Sequence, residues 1–88
     1  MKKTYYWTAN CAMCNQGRLI LQNDITNHRI YAHCEECEYG WLEPEELNDL
    51  DKGFLTLAGD YQTADPSWEE IQQSQWRDHV AGSFEEED

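Results

Sequence analysis

The sequence predicts a small α+β fold in which a β-hairpin carries two metal-binding knuckles and is followed by one short and one longer helix. Three observations predict it. The four cysteines fall into two matched Cys-x-x-Cys-x-x-Gly repeats, Cys11-Ala-Met-Cys14-Asn-Gln-Gly17 and Cys34-Glu-Glu-Cys37-Glu-Tyr-Gly40. The chain between them is rich in β-formers. Beyond Trp41, proline and acids stand where the first turn of a helix accepts them. Eighty-eight residues make one domain, placed at 1–84, with Glu85-Glu86-Glu87-Asp88 expected as an acidic disordered tail over 85–88. A chain this short buries a modest share of its surface, so a metal staple contributes to stability outright.

The cysteine repeats are offset by 23 residues, and 19 residues separate Cys14 from Cys34, a spacing that suits a tetrahedral zinc site. Two thiolates two residues apart can face one ion when the backbone between them forms a tight knuckle. Gly17 and Gly40 supply flexibility just beyond, and Asn15 tolerates a left-handed conformation directly after Cys14. Cys11, Cys14, Cys34 and Cys37 are therefore the predicted ligands of one structural zinc ion. Four sulfurs fill its coordination sphere and leave no open position for catalysis.

Rival readings of the cysteines are weaker. Disulfides need an oxidising compartment, whereas Lys2-Lys3-Thr4-Tyr5-Tyr6-Trp7 offers no apolar stretch of signal-peptide length, which points to the cytoplasm. A redox dithiol calls for a single pair within a βαβ pattern. Iron also suits a four-thiolate tetrahedron, and it is the spacing together with a reducing compartment that favours zinc. His33 is a spare ligand beside Cys34, unneeded once four cysteines are present; His28 and His79 read as surface or packing residues.

In chain order, Thr4 to Trp7 is β-forming and leads into the first knuckle. Residues 18–22 read as a strand, 23–27 as a turn, and 28–33 as the returning strand into Cys34. Tyr39-Gly40-Trp41-Leu42 continues as an apolar segment able to pair back on the hairpin, and the result is the layout of a zinc ribbon. Glu43 to Leu50 reads as a short helix with Leu47 and Leu50 turned inward, and Phe54-Leu55-Thr56-Leu57 as a strand or buried coil. Residues 59–65 form a connecting loop. Ser67-Trp68-Glu69-Glu70 has the form of a capping box that opens a longer helix, running to Val80 or Ala81 and stopping at Gly82. Its apolar face would hold Trp68, Ile71, Trp76 and Val80. Trp7 and Trp41 are expected in the core beside the knuckles.

Charge separates the chain into unlike halves. Residues 1–33 carry Lys2, Lys3, Arg18 and Arg29 against Asp24 alone, whereas residues 34–88 carry 17 acids against Lys52 and Arg77; the whole sums to −12. That field repels nucleic acid, whose phosphates must be neutralised by Lys and Arg, and it attracts basic partners. The excess is larger than solubility requires of a small domain, for which a net charge of about 2 to 8 suffices. Glu35, Glu36, Glu38, Glu43, Glu45, Glu46, Asp49 and Asp51 are accordingly the candidate partner-binding face, with Trp76 as a possible aromatic anchor. No run reaches the roughly 18 apolar residues of a membrane span. No phosphate loop or nucleophile motif is present, so an enzyme is not expected.

The stretch Cys11 to Trp41, with Glu43-Pro44-Glu45, resembles small bacterial zinc-ribbon proteins that have a Cys-x-x-Cys-x-x-Gly-x-Leu start and a Cys-Glu-x-Cys second knuckle, departing from them at Ala12 and Asn15. Small size and strong acidity also make the chain similar to immunity proteins of contact-dependent toxin systems. That resemblance implies binding and inhibition of a cognate basic nuclease toxin, while the charge and the lack of a long apolar run argue against nucleic acid and membrane as partners. The expected function is thus that of an acidic, zinc-stabilised module neutralising a basic protein. A zinc-ribbon adaptor in transcription or translation, or a nucleic-acid-binding ribbon, is the alternative.

Overall fold

In the computed structural model, which describes residues 2–56 and 61–87, hydrogen-bonded strands dominate and helix is scarce. The strands are β1 (Lys2–Asn10), β2 (Arg18–Asp24), β3 (Arg29–Cys34), β4 (Tyr39–Trp41), β5 (Phe54–Leu55), β6 (Thr63–Ala64) and β7 (Gly82–Glu87). They form one sheet in the order β5-β4-β3-β2-β1-β7, with β6 pairing onto the end of β2. Every pairing is antiparallel. The single α-helix among the described residues, α1, spans only Trp68–Gln72.

The hairpin of β2 and β3 is the centre of the sheet, as the alternation of its residues dictates. Its register sets Leu19 opposite Cys34 and Leu21 opposite Ala32, and β4 brings Trp41 beside Ala32. These side chains share one face because successive strand residues point to opposite sides. Ile71 and Trp76 cover that face, and all seven are at most 1 % exposed. On the other face Tyr31 meets Phe54 and Tyr61, each at 6.0 Å between ring centroids.

The turn end of the hairpin is closed by Asp24, a carboxylate only 1 % exposed. It accepts hydrogen bonds from the Asn27 backbone N–H (3.1 Å), the Asn27 side-chain amide (2.8 Å) and Arg29 Nε (3.3 Å). Burial pushes its carboxyl pKa up, but these donors outweigh burial and hold it below the usual carboxylate value. His28 completes the turn in a left-handed conformation, φ 56°.

The α+β expectation is overturned by this topology. In place of a short helix at 43–50, two isolated 3-10 turns occupy Pro44–Glu46 and Leu50–Lys52. Trp41 explains the interruption: its indole N–H donates to the Asp49 carbonyl at 3.0 Å, holding residue 49 in extended backbone. Leu47 packs against the core, whereas Leu50 is 47 % exposed.

The longer helix is likewise reduced to five residues. Its start is as expected, with Ser67 Oγ accepting from Glu70 N–H and the Glu70 carboxylate accepting from Ser67 N–H. After Gln72 the Ser74 hydroxyl donates to the Ile71 carbonyl and accepts from Trp76 N–H, diverting the backbone from the helical ladder. The tighter path swings Trp76 beneath β3, where its indole N–H donates to the Ile30 carbonyl at 2.9 Å. Trp68 is left half exposed and packs on Tyr6 at 5.1 Å.

Instead of the disordered tail expected at 85–88, residues as far as Glu87 continue β7 beside β1, with Lys2 opposite Glu87 and Lys3 opposite Glu86 in register. Complementary ends of the chain thus become neighbouring strands. At the far edge of the sheet, Phe54–Leu55 is a two-residue strand on β4. Leu57 lies outside the described residues, as do positions 59 and 60 of the expected loop.

Candidate metal centre

Each knuckle is built at the end of a strand. Between β1 and β2, Cys11 N–H donates to the Gly17 carbonyl (2.8 Å) and Asn15 N–H to the Cys11 carbonyl (3.0 Å), turning the chain back tightly enough for Cys11 and Cys14 to face the same point. Between β3 and β4, the Cys34 sulfur accepts the N–H groups of Glu36 and Cys37, both at 3.4 Å. Asn15 and Glu38, each directly after the second cysteine of its knuckle, are left-handed at φ 58° and 67°. The match between the two loops extends from the sequence repeat to the backbone.

The hairpin register then joins the knuckles. Leu19 pairs with Cys34, and the Arg18 carbonyl accepts from Glu35 N–H at 3.1 Å, so the two loops lie side by side at the same end. All four Sγ atoms fall within 4.8 Å of one another. Cys11 Sγ to Cys37 Sγ is 3.7 Å and Cys14 Sγ to Cys34 Sγ is 3.6 Å. A tetrahedron with metal–sulfur bonds of about 2.3 Å has edges of about 3.8 Å. The four cysteines can therefore hold one metal ion with little rearrangement, and a closed set of four sulfurs would leave such an ion no open position.

The thiols differ in environment. Hydrogen bonds from the Gln16 and Gly17 backbone lower Cys14 to about 6, whereas burial pushes Cys34 up to about 12 and also raises Cys37. A divalent ion supplies the charge that buried thiolates otherwise lack.

Gly17 and Gly40 serve the site differently from the expectation that they relax the turns, since no glycine among the described residues has a positive φ. A Cβ on Gly17 would stand 2.6 Å from Cys34 Sγ, and one on Gly40 2.8 Å from the Ala32 carbonyl oxygen. Gly17 is required for close approach of the two knuckles, and Gly40 for close approach of β4 to β3.

The proposed partner face is brought together only in part. Glu35 is engaged from within: Arg18 donates to it through Nε at 2.7 Å, Nη2 at 3.2 Å and its backbone N–H at 2.9 Å, and the guanidinium holds the Glu35 carboxyl below its usual value. Glu38 pairs with His33 Nε2 at 3.0 Å, Glu46 lies 4.0 Å from Lys52, and Asp49 accepts from Asp51 N–H. Glu36, Glu43, Glu45 and Asp51 are exposed, and their carboxylates have no ion pair among the described residues. Trp76, with 0 % exposure, belongs to the core and is closed to a partner as the chain stands. His33 faces away from the sulfurs toward Glu38 and is not part of the tetrahedron.

The cations whose side chains are described are also occupied. Lys3 pairs with Asp65, Arg18 with Glu35, Arg29 with Asp24, Lys52 with Glu46 and Arg77 with Asp78. Arg18 in addition lies 3.9 Å above the ring of Phe84, tying β7 to the first knuckle. Phe84 and β7 escape a reading of local pattern; the signal that finds them is the opposition of Lys2-Lys3 at one end of the chain and Glu85-Glu86-Glu87 at the other. No helix among the described residues is long and apolar enough to cross a membrane. Neither a protein-family model, nor a curated protein, nor a solved structure matches this chain.

Proposed function

We propose that this chain is an acidic binding protein, stabilised by one zinc ion, that neutralises a basic protein partner, in the specific form of an immunity protein acting on a cognate nuclease toxin. The observation that supports the reading best is the contrast between used and unused charge. Each cation whose side chain is described pairs with a carboxylate, whereas Glu36, Glu43, Glu45 and Asp51 remain exposed and unpaired among the described residues. A surface of that kind meets the Lys and Arg that a nuclease directs at phosphate, and it steers association electrostatically. The same pairing leaves little positive surface for nucleic acid. Zinc is favoured as the ion by the cysteine spacing, and four thiolates leave it without a catalytic role.

The test begins with the zinc-loaded protein as bait in cells of its source, and continues with the captured protein in purified form. A basic partner is expected, one that loses nuclease activity on mixing and associates more slowly by at least tenfold as salt rises from about 50 to 500 mM. A partner that stays active in the complex would instead indicate an adaptor. Association indifferent to salt would remove the electrostatic mechanism, and a gel shift with nucleic acid at physiological salt would favour the nucleic-acid-binding alternative.

A further inference from the structure

A six-residue strand at the margin of a sheet has one row of backbone N–H and C=O groups directed away from its neighbour. β7 is such a strand: it ends the sheet order, pairs with β1 on its inner side, and has no partner on its outer side among the described residues. Proteins usually blunt an edge of this length with proline, a bulge or lysine. Gly82-Ser83-Phe84-Glu85-Glu86-Glu87 has none of these, and its pairing with β1 runs in unbroken register. Its protection is negative charge. Glutamates set against glutamates repel a second copy of this chain, whereas a basic strand meets no such repulsion.

The inner side of β7 already displays the complementary chemistry. There Lys2 and Lys3 lie opposite Glu87 and Glu86 in antiparallel register, with Thr4 and Tyr5 following opposite Glu85 and Phe84. At the start of β7, a groove of about 690 Å³ opens between Tyr6, Trp68, Val80 and Gly82. Trp68 is 45 % exposed and fixed against Tyr6 at 5.1 Å, a rigid aromatic surface of the type that anchors interfaces. Arg77 at its rim is paired with Asp78. An open edge, acids of one sign along it and an aromatic groove at its head lie in sequence along one border of the molecule.

We infer that the outer edge of β7 receives an extended basic segment of the protein partner as an added strand, with an apolar residue of that segment seated against Trp68. This rests on the proposed basic partner and names where and how that partner is held. Backbone hydrogen bonds supply the pairing, and the glutamates and the groove supply the selection.

The test uses a defined probe, an acetylated peptide of alternating lysine and threonine ending in leucine, added to the metal-loaded protein labelled with nitrogen-15. Amide resonances of residues 82–87 and the Trp68 indole are expected to shift together. Methylation of alternate backbone nitrogens of the peptide should weaken binding at least tenfold, as should the double variant Glu85→Lys, Glu86→Lys. Trp68→Ala should weaken it about fivefold. If those variants lose the sheet, the methylated peptide alone still decides. Shifts confined to residues 36–51, or equal affinity for the methylated peptide, would overturn the edge and leave the basic-partner reading standing. An unshifted spectrum would also overturn the edge, and the salt-dependent capture experiment would then decide the partner reading by itself.

Discussion

At its turn end the β2–β3 hairpin gathers three donors onto the buried carboxylate of Asp24; at its other end the same two strands help deliver four thiols to a common point. The turn end is complete within the chain, because each hydrogen bond and the Arg29 guanidinium come from residues within five positions of Asp24. The knuckle end is not. Burial pushes the Cys34 and Cys37 thiols up while backbone hydrogen bonds lower Cys14, and with sulfurs 3.6 and 3.7 Å apart across the site four thiolates would need a cation between them. The contrast teaches that one hairpin can be closed by local polar groups at one end and carry a cluster able to hold an external ion at the other, so its two ends should fail under different insults.

The largest effect should come from removing the metal. Where a metal ion organises a small domain its binding energy is folding energy, on the order of 10 kcal/mol for zinc, so a chelator or Cys34→Ser should collapse the amide spectrum of residues 11–40 and abolish cooperative melting. A chelated protein that keeps its full spectrum and melting temperature would break the comparison. Next, Gly17→Ala places a methyl group against Cys34 Sγ and overpacks the centre, which typically costs about 1 to 3 kcal/mol. Metal affinity measured by competition with a chromophoric chelator should fall by about tenfold or more, while the turn end is unchanged.

Asp24→Ala should cost about 1 to 3 kcal/mol, since it removes three hydrogen bonds to a buried charged group, yet leave metal affinity unaltered. The pH dependence follows from the lowered carboxyl. Folding depresses its pKa, so its contribution is complete above the unfolded value of about 3.9 and is lost as pH falls through the lower folded value. The difference in stability between the native chain and Asp24→Ala should therefore be constant from neutral pH to about pH 5 and narrow below about pH 4 in denaturant melts.

The smallest effects sharpen the comparison by treating both ends alike. Glu38 and His28 are left-handed at φ 67° and 56°, a conformation costing about 1 to 2 kcal/mol in a non-glycine residue. His28→Gly should gain about 0.5 to 1 kcal/mol after the entropy cost of glycine. Glu38→Gly should gain less, about 0.5 kcal/mol, because it forfeits the half-exposed pair with His33. Thermal melts of the two metal-loaded variants check the order.

Much of the metal centre is legible from residue order. Cys11, Cys14, Cys34 and Cys37, the hairpin between them and the left-handed place at Asn15 all depend on contacts made within a few residues or across one turn, which spacing specifies. The capping box at Ser67 and Glu70 is readable for the same reason. The helix beyond it is not, because Ser74 turns the backbone and the Trp76 indole finds its acceptor at Ile30, 46 positions earlier. Amphipathic spacing cannot register that competitor.

By itself the sequence determined four cysteines spaced to face one point, one hairpin and an excess of negative charge, all properties of neighbouring residues or of composition. Only the tertiary structure decided that the chain is chiefly an antiparallel sheet, that Trp76 is core, and that Glu85 to Glu87 form part of an edge strand. Those outcomes depend on contacts between residues far apart in the chain, above all the pairing of Lys2 with Glu87 and Lys3 with Glu86. A strand at a terminus has no local periodicity strong enough to announce it, and becomes one when a partner satisfies its backbone hydrogen bonds.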